Sequence, residues 1–200
     1  MPAAGDDRPE GEDGPAGVER LWAALTGWAA DTRADGAARA RAREAWLRRQ
    51  AAAEATLTGL LVDLTERGTD VVIDLAAGDH TARGRLRAVG ADFAVLTTRA
   101  GHLCLVATAA VVAVRAAGES IGIPEPSGDR PPPLGTVLAD ALALLAAERP
   151  PVQVVLTPAG RTVAGQLVSV GTDLITLQPA AGAAATVAIP IGAIAACQLT

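Results

Sequence analysis

A chain of 200 residues, half of them hydrophobic and a fifth charged, is long enough to bury a sizeable core in one or two small domains and too apolar to be mostly disordered. No apolar run reaches the roughly 18 to 20 residues that span a bilayer, and the start is acidic where a secretory signal is basic and then apolar, so we expect a cytoplasmic protein with no membrane partner. The net charge is −5, and with only two His and two Cys the composition argues against most catalysis, a disulfide framework or a four-ligand zinc site, and no cofactor is expected.

In chain order, residues 1–17 are rich in Gly, Pro, Asp and Glu and read as a disordered acidic tail. Residues 18–36 hold a helix from about Val18 to Thr32, carrying Leu21, Trp22, Leu25 and Trp28, ahead of an Asp35-Gly36 break. Residues 37–115 combine a long helix, from Ala37 to Arg67, with five short strands near 70–75, 81–89, 93–98, 103–106 and 111–115. Leu57, Leu60, Leu61 and Leu64 give that helix its apolar face, and Gly68 stops it. Residues 116–133, ending in Pro131-Pro132-Pro133, form a linker of limited flexibility. Residues 134–200 begin with a helix carrying Leu134, Leu138, Leu142 and Leu145, stopped by Pro150-Pro151, and continue with strands near 152–156, 162–170, 174–178, 186–189 and 194–199.

The two strand regions are copies of one another. Gly84, Leu86, Val89, Gly90 and Asp92 align with Gly165, Leu167, Val170, Gly171 and Asp173, five identities in ten consecutive positions. Runs of β-branched residues broken by turn residues predict antiparallel meanders, and the gaps 107–110 and 190–193 each fit one 3₁₀ turn before a last strand.

A helix, five short strands, Gly-x-Leu-x-x-Val-Gly-x-Asp in the middle and a short turn before the last strand resemble the Sm-like member of the SH3-like small barrels. The resemblance implies an α+β, mostly β fold of two tandem small barrels behind an N-terminal helical segment, with open edge strands of the kind such folds use to oligomerise. It does not carry the family's RNA-binding residues across. Asp92 and Asp173 fall where that family's Asp stands, but the chain has no Asn to accompany them, and neither Val106–Ala110 nor Ile189–Ala193 contains the Arg-Gly of the second motif. Gly90, Asp92, Gly171 and Asp173 therefore read as turn residues, the glycines supplying positive φ and the carboxylates accepting from turn amides.

The copies differ in charge. Arg83, Arg85 and Arg87 alternate along one strand and share a sheet face, with Leu86 pointing the other way, while Ala164, Gln166 and Val168 occupy the matching places. Residues 37–115 carry eleven Arg against eight acids, whereas the segments on either side are acidic. With Arg39 and Arg43 on the preceding helix, the Arg stripe is a candidate nucleic-acid or anion face. Ala164 and Val168, with Trp22 and Trp28, form a candidate protein interface. A helix-turn-helix over residues 21–49 is a weaker alternative. His80, next to Asp79, and His102 sit in separate turns and read as surface residues, and Cys104 and Cys197 as buried inert thiols, so no catalytic or metal site is assigned. The expected function is a non-enzymatic interaction or assembly protein with a protein partner or itself; the alternative is a nucleic-acid-binding regulator using the Arg face.

Overall fold

The computed structural model describes residues 15–118, 122–179 and 185–200, so the acidic tail expected over 1–17 lies outside it except for residues 15–17. Two compact bodies divide the chain, one up to Arg49 and one from Gln50 to Thr200. The described part of the first is helix α1, Pro15–Ala53, which runs on into the second. Residues 15–17 open this helix, and the break expected at Asp35-Gly36 is absent. One interior glycine costs a helix about 1 kcal/mol, too little to interrupt a segment otherwise rich in Ala, Arg and Glu. With no turn there, residues 21–49 contain no helix-turn-helix. The interruption comes instead at residues 54–56, inside the helix expected to continue to Arg67. Thr56 is extended, and its Oγ1 accepts from Gly59 N at 3.0 Å, so it caps a new helix, α2, Leu57–Glu66. Gly68, at φ +62, ends α2 as expected.

Strands β1 (Asp70–Leu75), β2 (Thr81–Val89), β3 (Phe93–Thr97), β4 (Leu103–Ala107) and β5 (Val111–Ala116) follow. After α3 (Leu138–Ala146) come β6 (Pro151–Leu156), β7 (Arg161–Val170), β8 (Leu174–Pro179), β9 (Val187–Pro190) and β10 (Ile194–Leu199). A 3₁₀ turn precedes β5 and another precedes β10, as the spacing predicts. α2 buries Leu61, Val62 and Leu64 and packs on β2, while α3 buries Leu138 and Leu142 and packs on β7. No helix among the described residues is long and apolar enough to cross a membrane.

The fold is α+β and mostly strand. All ten strands form one antiparallel sheet in the order β5-β1-β2-β3-β4-β10-β6-β7-β8-β9, and this sheet is not closed. Its halves are built alike: β2 faces β1 in the register Val71↔Gly84, and β7 faces β6 in the register Val152↔Gly165. Both long strands carry an irregularity at the same place, between Leu86 and Ala88 and between Leu167 and Ser169. A bulge bends its strand and raises the local twist, so the two long strands bend at corresponding positions. The halves meet where β4 pairs with β10, through Ala196↔Val106, Cys197↔Leu105 and Gln198↔Cys104.

The linker is held down rather than free. Asp63, 4% exposed, accepts from Ser127 N at 2.9 Å, Ser127 Oγ at 2.5 Å and Arg130 Nη1 at 2.9 Å. Arg130 also reaches both carboxylate oxygens of Glu66, at 2.7 and 2.6 Å. Burial alone would raise the Asp63 pKa, but the Ser127 and Arg130 donors outweigh it and hold the carboxyl below its ordinary value. A depressed folded pKa stabilises the fold above the unfolded value near 4 and ceases to do so as pH falls through the folded one. Asp63→Ala is expected to cost about 2–4 kcal/mol by orphaning a buried set of donors. In chemical denaturation series, part of the wild-type loss of stability below about pH 4 disappears in this variant.

Candidate anion groove and sheet edges

β2 alternates as its sequence predicts: Ala82, Leu86 and Val89 are buried while Arg83, Arg85 and Arg87 are exposed. The three guanidinium groups line an open groove of ≈ 410 Å³ with Arg99, which lies beyond the end of β3. Gly84 also lines this groove, and a Cβ there would lie 2.2 Å from Thr97 O, so β2 and β3 approach closely at that point. Arg85 Nε stands 3.5 Å from Asp70 Oδ1, both side chains half exposed. Arg83, Arg87 and Arg99 have no ion-pair partner within 4.0 Å among the described residues. Guanidinium groups around an open groove suit phosphate or carboxylate oxygens, which they can bind in bidentate fashion.

The second half contains the same groove without the charge. It encloses ≈ 400 Å³ between Pro151, Ala164, Gln166, Gln178 and Pro179, and Gly165 stands where a Cβ would come 2.5 Å from Gln178 O. Ala164 is exposed there, whereas Val168, at the bulge, is half-buried. Trp22, Trp28, Arg39 and Arg43 are exposed on α1, in the body ending at Arg49. Arg99 was missed in the sequence; the register Arg85↔Thr97 is what carries the hairpin end alongside β2.

The turn residues play roles other than those expected. Gly90 and Gly171 do not have positive φ. Gly90 is needed because the buried Phe93 ring lies over it, 2.2 Å from where a Cβ would be, while Gly171 has only ordinary contacts. Asp92 does not serve its own turn: its Oδ1 accepts from Leu138 N at 2.6 Å and so caps α3, whose preceding Val137 offers no side-chain cap. Asp173 is exposed, and its carboxylate has no hydrogen-bond partner among the described residues.

His80 Nε2 lies 2.8 Å from Gly160 O, joining the first turn of one half to its counterpart in the other. His102 is exposed, and no group of three or more His, Cys, Asp or Glu among the described residues is placed to hold a metal. Cys104 and Cys197 are buried and unbridged, and burial pushes their thiols up to about 11 and about 12, away from the reactive thiolate.

Equivalent strands differ in how they are covered. Where β4 meets β10, residues 104–107 and 194–197 are buried. At the two ends of the sheet, β5 is half-buried or exposed throughout, and β9 buries Ile189 alone. Val112 of β5 is 67% exposed, whereas Ala195, its counterpart in β10, is fully buried. No protein-family model matches this sequence, and no curated protein matches it either.

Close approach at three glycines gives a direct check on this geometry. Gly84→Ala, Gly165→Ala and Gly90→Ala are each expected to destabilise by about 1–3 kcal/mol through overpacking. Gly171→Ala stays within about 0.5 kcal/mol of wild type in the same denaturant titrations.

Proposed function

We propose that the chain is a non-enzymatic assembly protein made of two tandem Sm-like repeats, each the strand series of a small barrel left open and joined edge to edge. The carrying observation is the pair of unpaired, largely apolar strand edges, β5 at one end of the sheet and β9 at the other. An unpaired edge offers a ready row of N–H and C=O groups to another chain. Non-enzymatic describes the residue inventory: His80 is engaged with Gly160 O, and both thiols are buried with raised pKa values. Free cysteines suit a reducing compartment, and cytoplasmic location belongs to this reading. In extracts of cells producing the chain, Val112→Glu and Ala188→Pro are expected to move it to a smaller species on size exclusion. An unchanged size profile for both variants would contradict assembly through the edges.

A second reading rests on the contrast between grooves of equal size, four Arg in one and none in the other. It makes the first repeat a nucleic-acid-binding surface, contacting the phosphate backbone rather than stacking bases, since the chain has no Tyr and a single Phe. Under this reading RNA or DNA binding weakens with salt and is lost at low salt in the Arg83/Arg85/Arg87→Ala triple variant. Equal binding by the triple variant, or none by wild type, removes it.

A further inference from the structure

The Arg groove does not end at β2. Arg83 and Thr98, which line it, also line a second cavity of ≈ 280 Å³ at the β4–β10 joint. That cavity draws His80, Thr81 and Cys104 from the first half and Gln153, Val155 and Gln198 from the second, so neither repeat contains it alone. Gln153 and Gln198 are paired across β6 and β10. The matching pair in the first half is Val72 and Arg115, so the two amides belong to the joint and not to the repeat. Neither Gln side chain has a hydrogen-bond partner among the described residues. His80 Nε2 donates to Gly160 O, which leaves Nδ1 as an acceptor in the neutral ring.

Positive charge and hydrogen-bonding capacity are divided between the two cavities. Arg85, Arg87 and Arg99 line only the first, Arg83 stands at the boundary, and the second adds no carboxylate and no further Arg. The register Arg85↔Thr97 brings Arg99 toward Arg83. Like charges facing each other across a sheet are destabilising, and an anion between them removes that cost. A carboxylate is satisfied by one guanidinium fork, whereas a phosphate monoester has three terminal oxygens to share among several. Going beyond both readings above, we propose that the two cavities form one site for a small phosphate monoester with a hydroxylated body, the class of the sugar phosphates. The phosphate lies among Arg83, Arg87 and Arg99, and the hydroxyls meet Gln153, Gln198 and His80. An amide both donates and accepts, as a hydroxyl requires. At ≈ 410 and ≈ 280 Å³ the cavities have together the size of a small-molecule site, about 300–1,000 Å³. A nucleic-acid backbone repeats its charge, and past Arg83 the cavity supplies no second Arg to meet it.

The test titrates the purified full chain by isothermal calorimetry with glucose 6-phosphate, ribose 5-phosphate, glycerol 3-phosphate, inorganic phosphate and glucose. At least one of the esters is expected to bind at a single site per chain, about tenfold or more tighter than inorganic phosphate, while glucose gives no binding heat. Arg83→Gln combined with Arg99→Gln weakens ester and inorganic phosphate alike, by about tenfold or more. Gln153→Ala combined with Gln198→Ala lowers the ester to the affinity of inorganic phosphate and leaves inorganic phosphate unchanged. Gln153→Ala alone, at an exposed position, serves if the pair lowers the unfolding midpoint. Esters that all bind no tighter than inorganic phosphate, or ester binding indifferent to the Arg pair or to the Gln substitutions, overturn the proposal. A single-stranded RNA oligomer is the last arm. RNA that binds through the same Arg residues, with no ester doing so, replaces the proposal with the nucleic-acid reading. If neither binds, both fall.

Discussion

Three residue pairs between β4 and β10 determine the character of the whole second body. Without that ladder, two five-stranded curved sheets would each present a fourth and a fifth strand to water. With it, one such pair is removed from solvent, and the four residues at 194–197 become core in company with Val106 and Leu105. Each backbone hydrogen bond contributes only about 0.5–1.5 kcal/mol net. The larger effect is burial of apolar side chains on both faces of the joint, at roughly 25 cal/mol per Å². His80 to Gly160 O and Asp92 to Leu138 N reinforce the joint with polar contacts between the two halves. These contacts also explain why two copies of one sequence pattern need not look alike: Asp92 sits at the joint and Asp173 at an end.

Much of the strand architecture was legible because its signal is local. β1, β2 and β10 begin and end where alternation and turn residues place them, and the other strands differ by one residue at one end, β9 at both. The helices were less legible. Gly36 looks like a breaker, but its cost is small against the helix-forming residues around it, and Thr56, which reads as an interior position of a continuous apolar-faced helix, is extended and caps a new one. The open, continuous sheet was beyond the reach of periodicity. Pairing between β4 and β10 joins residues at least 90 positions apart, and nothing in the local spacing of either strand specifies its second neighbour.

The candidate groove was legible in part. Alternation along β2 placed Arg83, Arg85 and Arg87 on one face, while the addition of Arg99 depends on the register between β2 and β3. The comparison between copies was informative because the scaffold is held constant. Gly84 and Gly165 line corresponding grooves of similar volume at the same close approach of strands, and the change from Arg83 and Arg85 to Ala164 and Gln166 removes the positive charge from the second. The positive φ expected at Gly90 failed for a different reason. That glycine answers to the Phe93 ring packed above it, a contact that turn rules do not contain.

The central claim is that the β4–β10 ladder makes one structural body of two repeats and that the same strands at the sheet ends are uncovered. Residue-resolved amide hydrogen exchange on the full chain at low concentration tests it most directly. The account predicts that the Leu105 and Cys197 amides exchange only through global unfolding, while those of Ala188 and Val114 exchange close to the rate of an unprotected chain. Leu105 and Cys197 exchanging as fast as Ala188 and Val114 would contradict it.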